Sequence, residues 1–265
     1  MADIEKLCGI IIRESLYGEN DKLLEIFTKE YGIVSVLAKG ARKHTGKLGR
    51  FCHILLYGEF TVYRKGNMMW LREVSPAHDF YGVDIPLDVL SLINYFVEII
   101  RFIAFTEDTE IYLRLFLNTL YFLRSGVLSK TDKIKVKAAF EMKISSVLGF
   151  APCLDSCSYC GKKNIVCYDT DEDSAICGDC MKLLEEKHKQ EESRYGEEKV
   201  YKIFPLTPSC VMAVNYIAGS DIKRIFFFSI DEKDMNILSD FTENYLMEKT
   251  EHRYKSLDAF RMYLN

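Results

Sequence analysis

Ile54-Leu-Leu-Tyr-Gly58-Glu-Phe-Thr-Val-Tyr-Arg64 is the stretch that decides the fold. It is rich in β-branched and aromatic residues, the composition of a strand, yet a glycine interrupts it. A glycine inside a long strand marks a bulge or a sharp bend, the device by which one strand serves two sides of a small barrel. Four more runs of the same kind surround it: Leu7 to Arg13, Leu23 to Thr28, Ile33 to Ala38 and Met68 to Val74. They are punctuated by Gly32, Gly40, Gly46, Gly49 and the turn Lys65-Gly66-Asn67. Five short strands in so few residues suit a small barrel, and an SH3-like barrel is one form this leaves open.

After Val74 the period changes. From Leu87 to Ile103 the polar residues Asp88, Ser91, Asn94, Glu98 and Arg101 fall on one narrow helical stripe with apolar residues around the rest, which predicts a mostly buried helix. Ile111 to Leu123 repeats the design with Arg114 and Asn118. Ile134 to Leu148 makes a third helix that stops at Gly149, ahead of Pro152. The C-terminal part reads as elements returning onto this bundle: Ser209 to Ile217, a β-run from Arg224 to Ile230, and Glu232 to Met247.

Between bundle and C-terminal part stand two thiol pairs, Cys157-x-x-Cys160 and Cys177-x-x-Cys180, sixteen residues apart. This is the spacing of a structural zinc site. Each pair sets two sulfurs on one tight turn, and Gly161 lets the backbone curl so that amides face the sulfur. Lys162 to Ile176 reads as a short hairpin carrying the two turns. Four thiolates fill the tetrahedral shell of one Zn2+ and leave no place for water or substrate, so the ion is expected to hold shape rather than do chemistry. Cys153 or Cys167 in place of one ligand is a minor variant. Cys153-x3-Cys157-x2-Cys160 also matches the loop that holds an iron–sulfur cluster in radical enzymes. That chemistry needs a large α/β barrel around the loop and leaves the second pair unexplained. Cys8, Cys52 and Cys210 are expected to be buried thiols without a role.

The net charge of −4 excludes a protein coated in positive charge, so nucleic-acid binding has to come from a local patch. One exists. No Asp or Glu occurs between Tyr31 and Gly58, while Lys39, Arg42, Lys43, Lys47 and Arg50 crowd into twelve residues between two β-runs. Most charge runs are solvated loops, but loops in this position flank the face of a small barrel on which single strands lie. These five residues are the expected nucleic-acid contacts. Phe51, Tyr63 and Trp70 are read first as barrel core and second as rings that stack on bases.

The five histidines form no H-E-x-x-H and no deaminase pattern, and no phosphate loop, dinucleotide fingerprint or nucleophile elbow is present. The expectation is a protein that is not an enzyme. The most apolar stretch, Asp88 to Phe105, carries Glu98 and Arg101, so no membrane span is expected. The opening residues lack a secretory layout, and the unframed cysteines suit a reducing cytoplasm.

Three segments carry a resemblance to a known family. The first comprises Gly9-Ile-Ile-Ile-Arg13, Tyr17-Gly-Glu-Asn-Asp21, Leu24-Glu-Ile-Phe-Thr28, Tyr31-Gly32 and Lys39-Gly-Ala-Arg-Lys43; the second runs from Leu148-Gly-Phe-Ala-Pro152 through Cys157-Ser-Tyr-Cys-Gly161; the third is Arg253-Tyr-Lys-Ser-Leu257. In these the chain resembles the bacterial RecO family of recombination mediators. The resemblance implies an α+β protein: an N-terminal five-stranded OB-fold barrel followed by a helical domain with an inserted four-cysteine zinc module. Its parts are expected at 1–80 (OB-fold, DNA-binding), 81–152 (helical domain), 153–183 (zinc module) and 184–265 (C-terminal part packing on the helical domain). It implies binding of single- and double-stranded DNA, annealing of complementary strands and no nucleotide hydrolysis. The implied partners are RecR, RecF in some members, and the acidic C-terminal tail of single-stranded DNA-binding protein, in helping RecA load onto coated DNA. The implied place is the bacterial cytoplasm, at the nucleoid. Cys153 departs from the pattern by adding a thiol beside the module. A zinc-ribbon adaptor that binds a protein partner and no DNA is the alternative.

Overall fold

Five strands close on themselves at the N-terminal end of the chain. The computed structural model describes residues 4–43, 48–82, 84–104, 109–195 and 202–264. Strands β1 (Ile4–Tyr17), β2 (Asp21–Thr28), β3 (Gly32–Ala38), β4 (Leu56–Lys65) and β5 (Met68–Asp79) form a closed barrel in the order β1-β2-β3-β5-β4. All neighbours are antiparallel except β3 and β5, whose short parallel pairing seals the barrel. Leu7, Ile11, Leu24, Ile26, Val36, Phe60, Val62 and Leu71 fill its interior.

Closure depends on two glycines that face each other, Gly9 on β1 and Gly58 on β4. A Cβ on Gly9 would stand 2.4 Å from the Phe27 carbonyl oxygen, and one on Gly58 2.5 Å from that of Ser75. Neighbouring backbone takes the space a side chain would need. The register also slips between Tyr57 and Gly58, so the interruption in the fourth run is a bulge at the bend.

The run expected from Ile54 becomes strand only at Leu56. Leu55 turns the chain with a φ of 64°, its amide donates to the Ile11 carbonyl at 2.7 Å, and its side chain is buried. β1 and β2, conversely, extend beyond the expected runs, because their ladder continues to Tyr17 and Asp21 as a hairpin whose β1 residues are exposed. Apolar patterning stops where the barrel core stops, while backbone pairing does not.

The chain divides into two compact units, 1–127 with 254–265, and 128–253. In the first, the barrel is joined by α1 (Leu87–Ile103), α2 (Thr109–Leu123) and α7 (Ser256–Leu264). Tyr95 on α1 meets Tyr254 edge-on with centroids 5.9 Å apart, and Leu257 and Phe260 are buried. Glu98, expected on a polar stripe, instead accepts from the Lys255 amide (3.1 Å), from the Ser256 amide (2.8 Å) and from the Ser256 hydroxyl. Its carboxylate sits at the positive end of α7.

The second unit is built on α3 (Lys130–Val147), capped by a reciprocal Ser129–Asp132 box and buried at every position from Val136 to Ser145. Around it stand α5 (Pro208–Gly219) and α6 (Glu232–Thr250), together with α4 (Gly178–Tyr195) and the sheet β7-β6-β8, made of β6 (Ile165–Asp169), β7 (Ser174–Cys177) and β8 (Ile203–Pro205). Lys137 lies in this interior, bound to Glu141 at 3.0 Å and Glu243 at 2.9 Å. The β-run expected over Arg224 to Ile230 is not a strand: Asp221 caps a short 3-10 turn, and Ile225 and Phe226 are buried from loop backbone. The apolar run is real, but its burial comes from a turn rather than a ladder.

Candidate nucleic-acid loop and metal centre

The basic segment leaves β3 at Lys39 and is fastened at both ends. Gly40 takes a φ of +68°, which admits glycine without strain, and its amide donates to the Asp21 carboxylate at 2.7 Å. The Arg42 amide donates to the Asn20 carbonyl at 3.0 Å and its guanidinium to the Glu19 carbonyl at 2.8 Å. The β1–β2 turn is therefore the clamp. At the far end Gly49 lies so close to Ala41 that a Cβ would stand 2.6 Å from the Ala41 carbonyl oxygen. Ala41 is buried in the barrel core, with Leu48 and Phe51 packed against that core.

Besides backbone and apolar groups this fastening uses the Asp21 carboxylate and one Arg42 N–H, and it leaves the cationic side chains on the surface. Lys39, Arg42, Lys43 and Arg50 are exposed, and among the described residues none of them forms an ion pair. Arg50 rests on its neighbour Phe51, 4.5 Å from the ring centroid. Lys47 lies outside the described residues. The pinch at Gly49 brings Arg50 back toward Ala41 and the two cations after it.

Of the three rings expected first in the core, Phe51 packs at its margin, whereas Tyr63 and Trp70 stand on the outer wall. Strand alternation decides this: Val62, Met69 and Leu71 point inward, so their neighbours point out. The two rings are near-parallel, 6.4 Å apart at 22°, and Lys65 lies 5.6 Å from the Trp70 centroid. The Trp70 Nε1–H is buried without an acceptor among the described residues, a cost of about 1–3 kcal/mol that a phenylalanine would not incur.

In the second unit the four sulfurs of Cys157, Cys160, Cys177 and Cys180 lie within 4.8 Å of one another, and those of Cys160 and Cys177 at 3.5 Å. Sulfurs at the corners of a tetrahedron of about 2.3 Å bonds stand about 3.8 Å apart, so the donor set fits one ion. The β6–β7 hairpin supplies Cys177 at its end, and Cys180 follows in the first turn of α4. Cys157 and Cys160 flank a tight turn in which the Gly161 amide donates to the Cys157 carbonyl at 2.9 Å, with Gly161 at a φ of +76°. Burial alone would raise the Cys157 thiol; the backbone amides of Cys177, Tyr159 and Cys160 outweigh it and bring the pKa down to about 6. Hydrogen bonding within the cluster, chiefly with Cys160, pushes Cys180 up to about 12. Four thiolates this close cannot all ionise without a cation between them. Cys157 is the thiol that this environment favours as a thiolate, and a cation among the four sulfurs would supply the missing positive charge.

Cys153 is exposed and outside this group. Cys167 faces the Met181 sulfur at 3.5 Å and is pushed up to about 11 by burial, so it too stands apart. Cys52 and Cys210 are buried as expected, but Cys8 is half-buried with its sulfur 3.2 Å from the Tyr57 hydroxyl.

Barrel and cluster together define an OB-like barrel protein that carries a four-cysteine centre on a second, helical unit. Two family models cover nearly the whole length: "Recombination protein O N terminal" matches residues 1–80 and "Recombination protein O C terminal" residues 87–258. The chain belongs to the recombination protein O family, whose members are mediators of DNA repair and recombination. It is 30% identical to the DNA repair protein RecO of Acetivibrio thermocellus over 97% of this chain and 96% of that one. The RecO proteins of Caldicellulosiruptor saccharolyticus and Clostridium acetobutylicum are each 26% identical, over 97% and 96% of this chain and the same shares of theirs. Among the described residues no helix is long and apolar enough to cross a membrane.

Proposed function

We propose that this protein binds single- and double-stranded DNA through Lys39, Arg42, Lys43, Lys47 and Arg50 and anneals complementary strands. With RecR, and RecF where present, it helps load RecA onto DNA coated by single-stranded DNA-binding protein, whose acidic tail it recognises. One Zn2+ on Cys157, Cys160, Cys177 and Cys180 supports the fold. No covalent chemistry is needed: cations neutralise phosphates, two strands approach with less repulsion, and pairing follows. Tethering to the coating protein raises the local concentration of both strands.

One observation carries this reading. The loop is held by backbone, the Asp21 carboxylate, apolar packing and one Arg42 N–H, and among the described residues its exposed cations form no ion pair, so their charge stays available for phosphate. Family membership supports the same reading from the side of biology.

Fluorescence anisotropy with labelled single and double strands, run across a salt series, tests it. Changing Lys39, Arg42 and Lys43 together to Ala is expected to weaken binding and to flatten the log–log salt slope by about 0.7–0.9 for each phosphate no longer neutralised. An unchanged slope removes the loop from the footprint, and no binding by the wild type in dilute buffer leaves the protein-adaptor reading. Annealing of oligonucleotides coated with their binding protein, with and without this chain, tests the mediator role.

A further inference from the structure

Tyr63 and Trp70 are directly opposed across the β4–β5 ladder, and Trp70 is opposed by Leu37 across the β3–β5 pairing. Along these strands the inward neighbours Val36, Val62, Met69 and Leu71 belong to the barrel core, which sets Leu37, Tyr63 and Trp70 in one row on the outer wall. Leu37 is itself covered, whereas the two rings lie near-parallel and stay half-buried rather than enclosed. The row is charged at both ends. Lys65 rests over the indole on one side, and on the other Lys39, two residues beyond Leu37, opens the basic loop.

The geometry points to a base-stacking platform: unpaired bases of a single strand lie on Trp70 and Tyr63 while Lys39 and Lys65 meet the flanking phosphates. This rests on the DNA-binding reading above and deepens it, because it divides the labour. Exposed cations attract any phosphate backbone, whereas an aromatic face engages only bases whose own faces are free, as in a single strand. A solvated ammonium is held weakly on an indole. A base arriving there displaces Lys65 and frees its charge for phosphate.

The chain contains one tryptophan, so its fluorescence reports Trp70 alone. The full-length protein is titrated with an oligothymidylate of about 16 nucleotides, the upper end of OB-fold site sizes, while a labelled copy of the strand reports binding by anisotropy. Saturable quenching that tracks the anisotropy is expected with the single strand, and none with a duplex of equal length that raises the anisotropy. Trp70→Leu is expected to weaken single-strand binding about 10-fold, within the span of one lost base–aromatic stack, and to leave duplex affinity within about twofold. Trp70→Phe, which keeps a ring, is expected to lose less than about threefold. Anisotropy without quenching, equal quenching by duplex, or equal loss in the Phe and Leu variants overturns the platform and leaves the loop's role intact. Absence of any anisotropy change in dilute buffer overturns both. The wild-type titration decides the matter even if Trp70→Leu does not fold.

Discussion

The two candidate sites are built in opposite ways. At the cysteine centre the functional atoms are the structure: backbone amides donate to the Cys157 sulfur, Cys177 ends a strand, Cys180 opens a helix, and the four sulfurs converge within 4.8 Å. At the basic loop the functional atoms are what structure leaves over. Backbone, Asp21, Ala41, Phe51 and one Arg42 N–H hold the loop, and its cationic side chains stay exposed. The difference teaches what damage each site can transmit. Losing the first should cost folding, and losing the second should cost binding.

The sharpest way to break this comparison is to take away the proposed ion or its ligands. Chelation at neutral pH, or Cys157→Ser with Cys160→Ser, is expected to unfold the β6–β7–β8 sheet and destabilise the second unit by several kcal/mol, given that structural zinc contributes about 10–16 kcal/mol in small modules. Metal analysis with calorimetry checks it; a transition that does not move would place the cluster among incidental thiols.

Next in size is the interior of the same unit. Lys137→Met would remove the ammonium that Glu141, which is fully buried, and Glu243 both contact, at a cost of about 3–5 kcal/mol by urea denaturation. Adding Glu141→Gln should recover part of the loss, since one buried negative charge is gone. Failure to recover would show that packing, not charge, is what Lys137 supplies.

Within the barrel, Gly58→Ala is expected to cost about 1–3 kcal/mol, because its Cβ must push the Ser75 carbonyl away at the bend. A Gly66→Ala control is useful: that turn is open, so only its φ of +62° resists the change. Equal effects at the two positions would mean that backbone conformation, and not crowding, sets the cost.

The smallest effect on stability belongs to the loop that matters most for the proposed function. The Lys39, Arg42 and Lys43 triple alanine variant should stay within about 0.5 kcal/mol per site of the wild type, as exposed substitutions do. A larger loss would trace to Arg42, whose guanidinium is tied to the Glu19 carbonyl. Arg42→Lys would then separate anchoring from charge.

Much of the fold and of both sites was legible from residue order alone. Alternating and interrupted apolar runs specified five strands and a bend, because burial of one strand face imposes period two and only glycine tolerates a backbone at van der Waals distance. The thiol spacing specified a four-sulfur centre, because a tight turn presents two ligands in whatever fold carries it. Three things needed the folded chain. Gly9 is as crowded as Gly58, but only the register sets them face to face. Tyr63 and Trp70 have the composition of core residues, and which wall they occupy depends on strand phase, which a bulge resets by one residue. Lys137 and Glu98 look like solvated charges in the sequence, since nothing local announces that Glu243, or the start of α7, returns from a distant part of the chain. Local chemistry is written in the sequence as spacing; partnership between distant segments is decided by packing, which no short window contains.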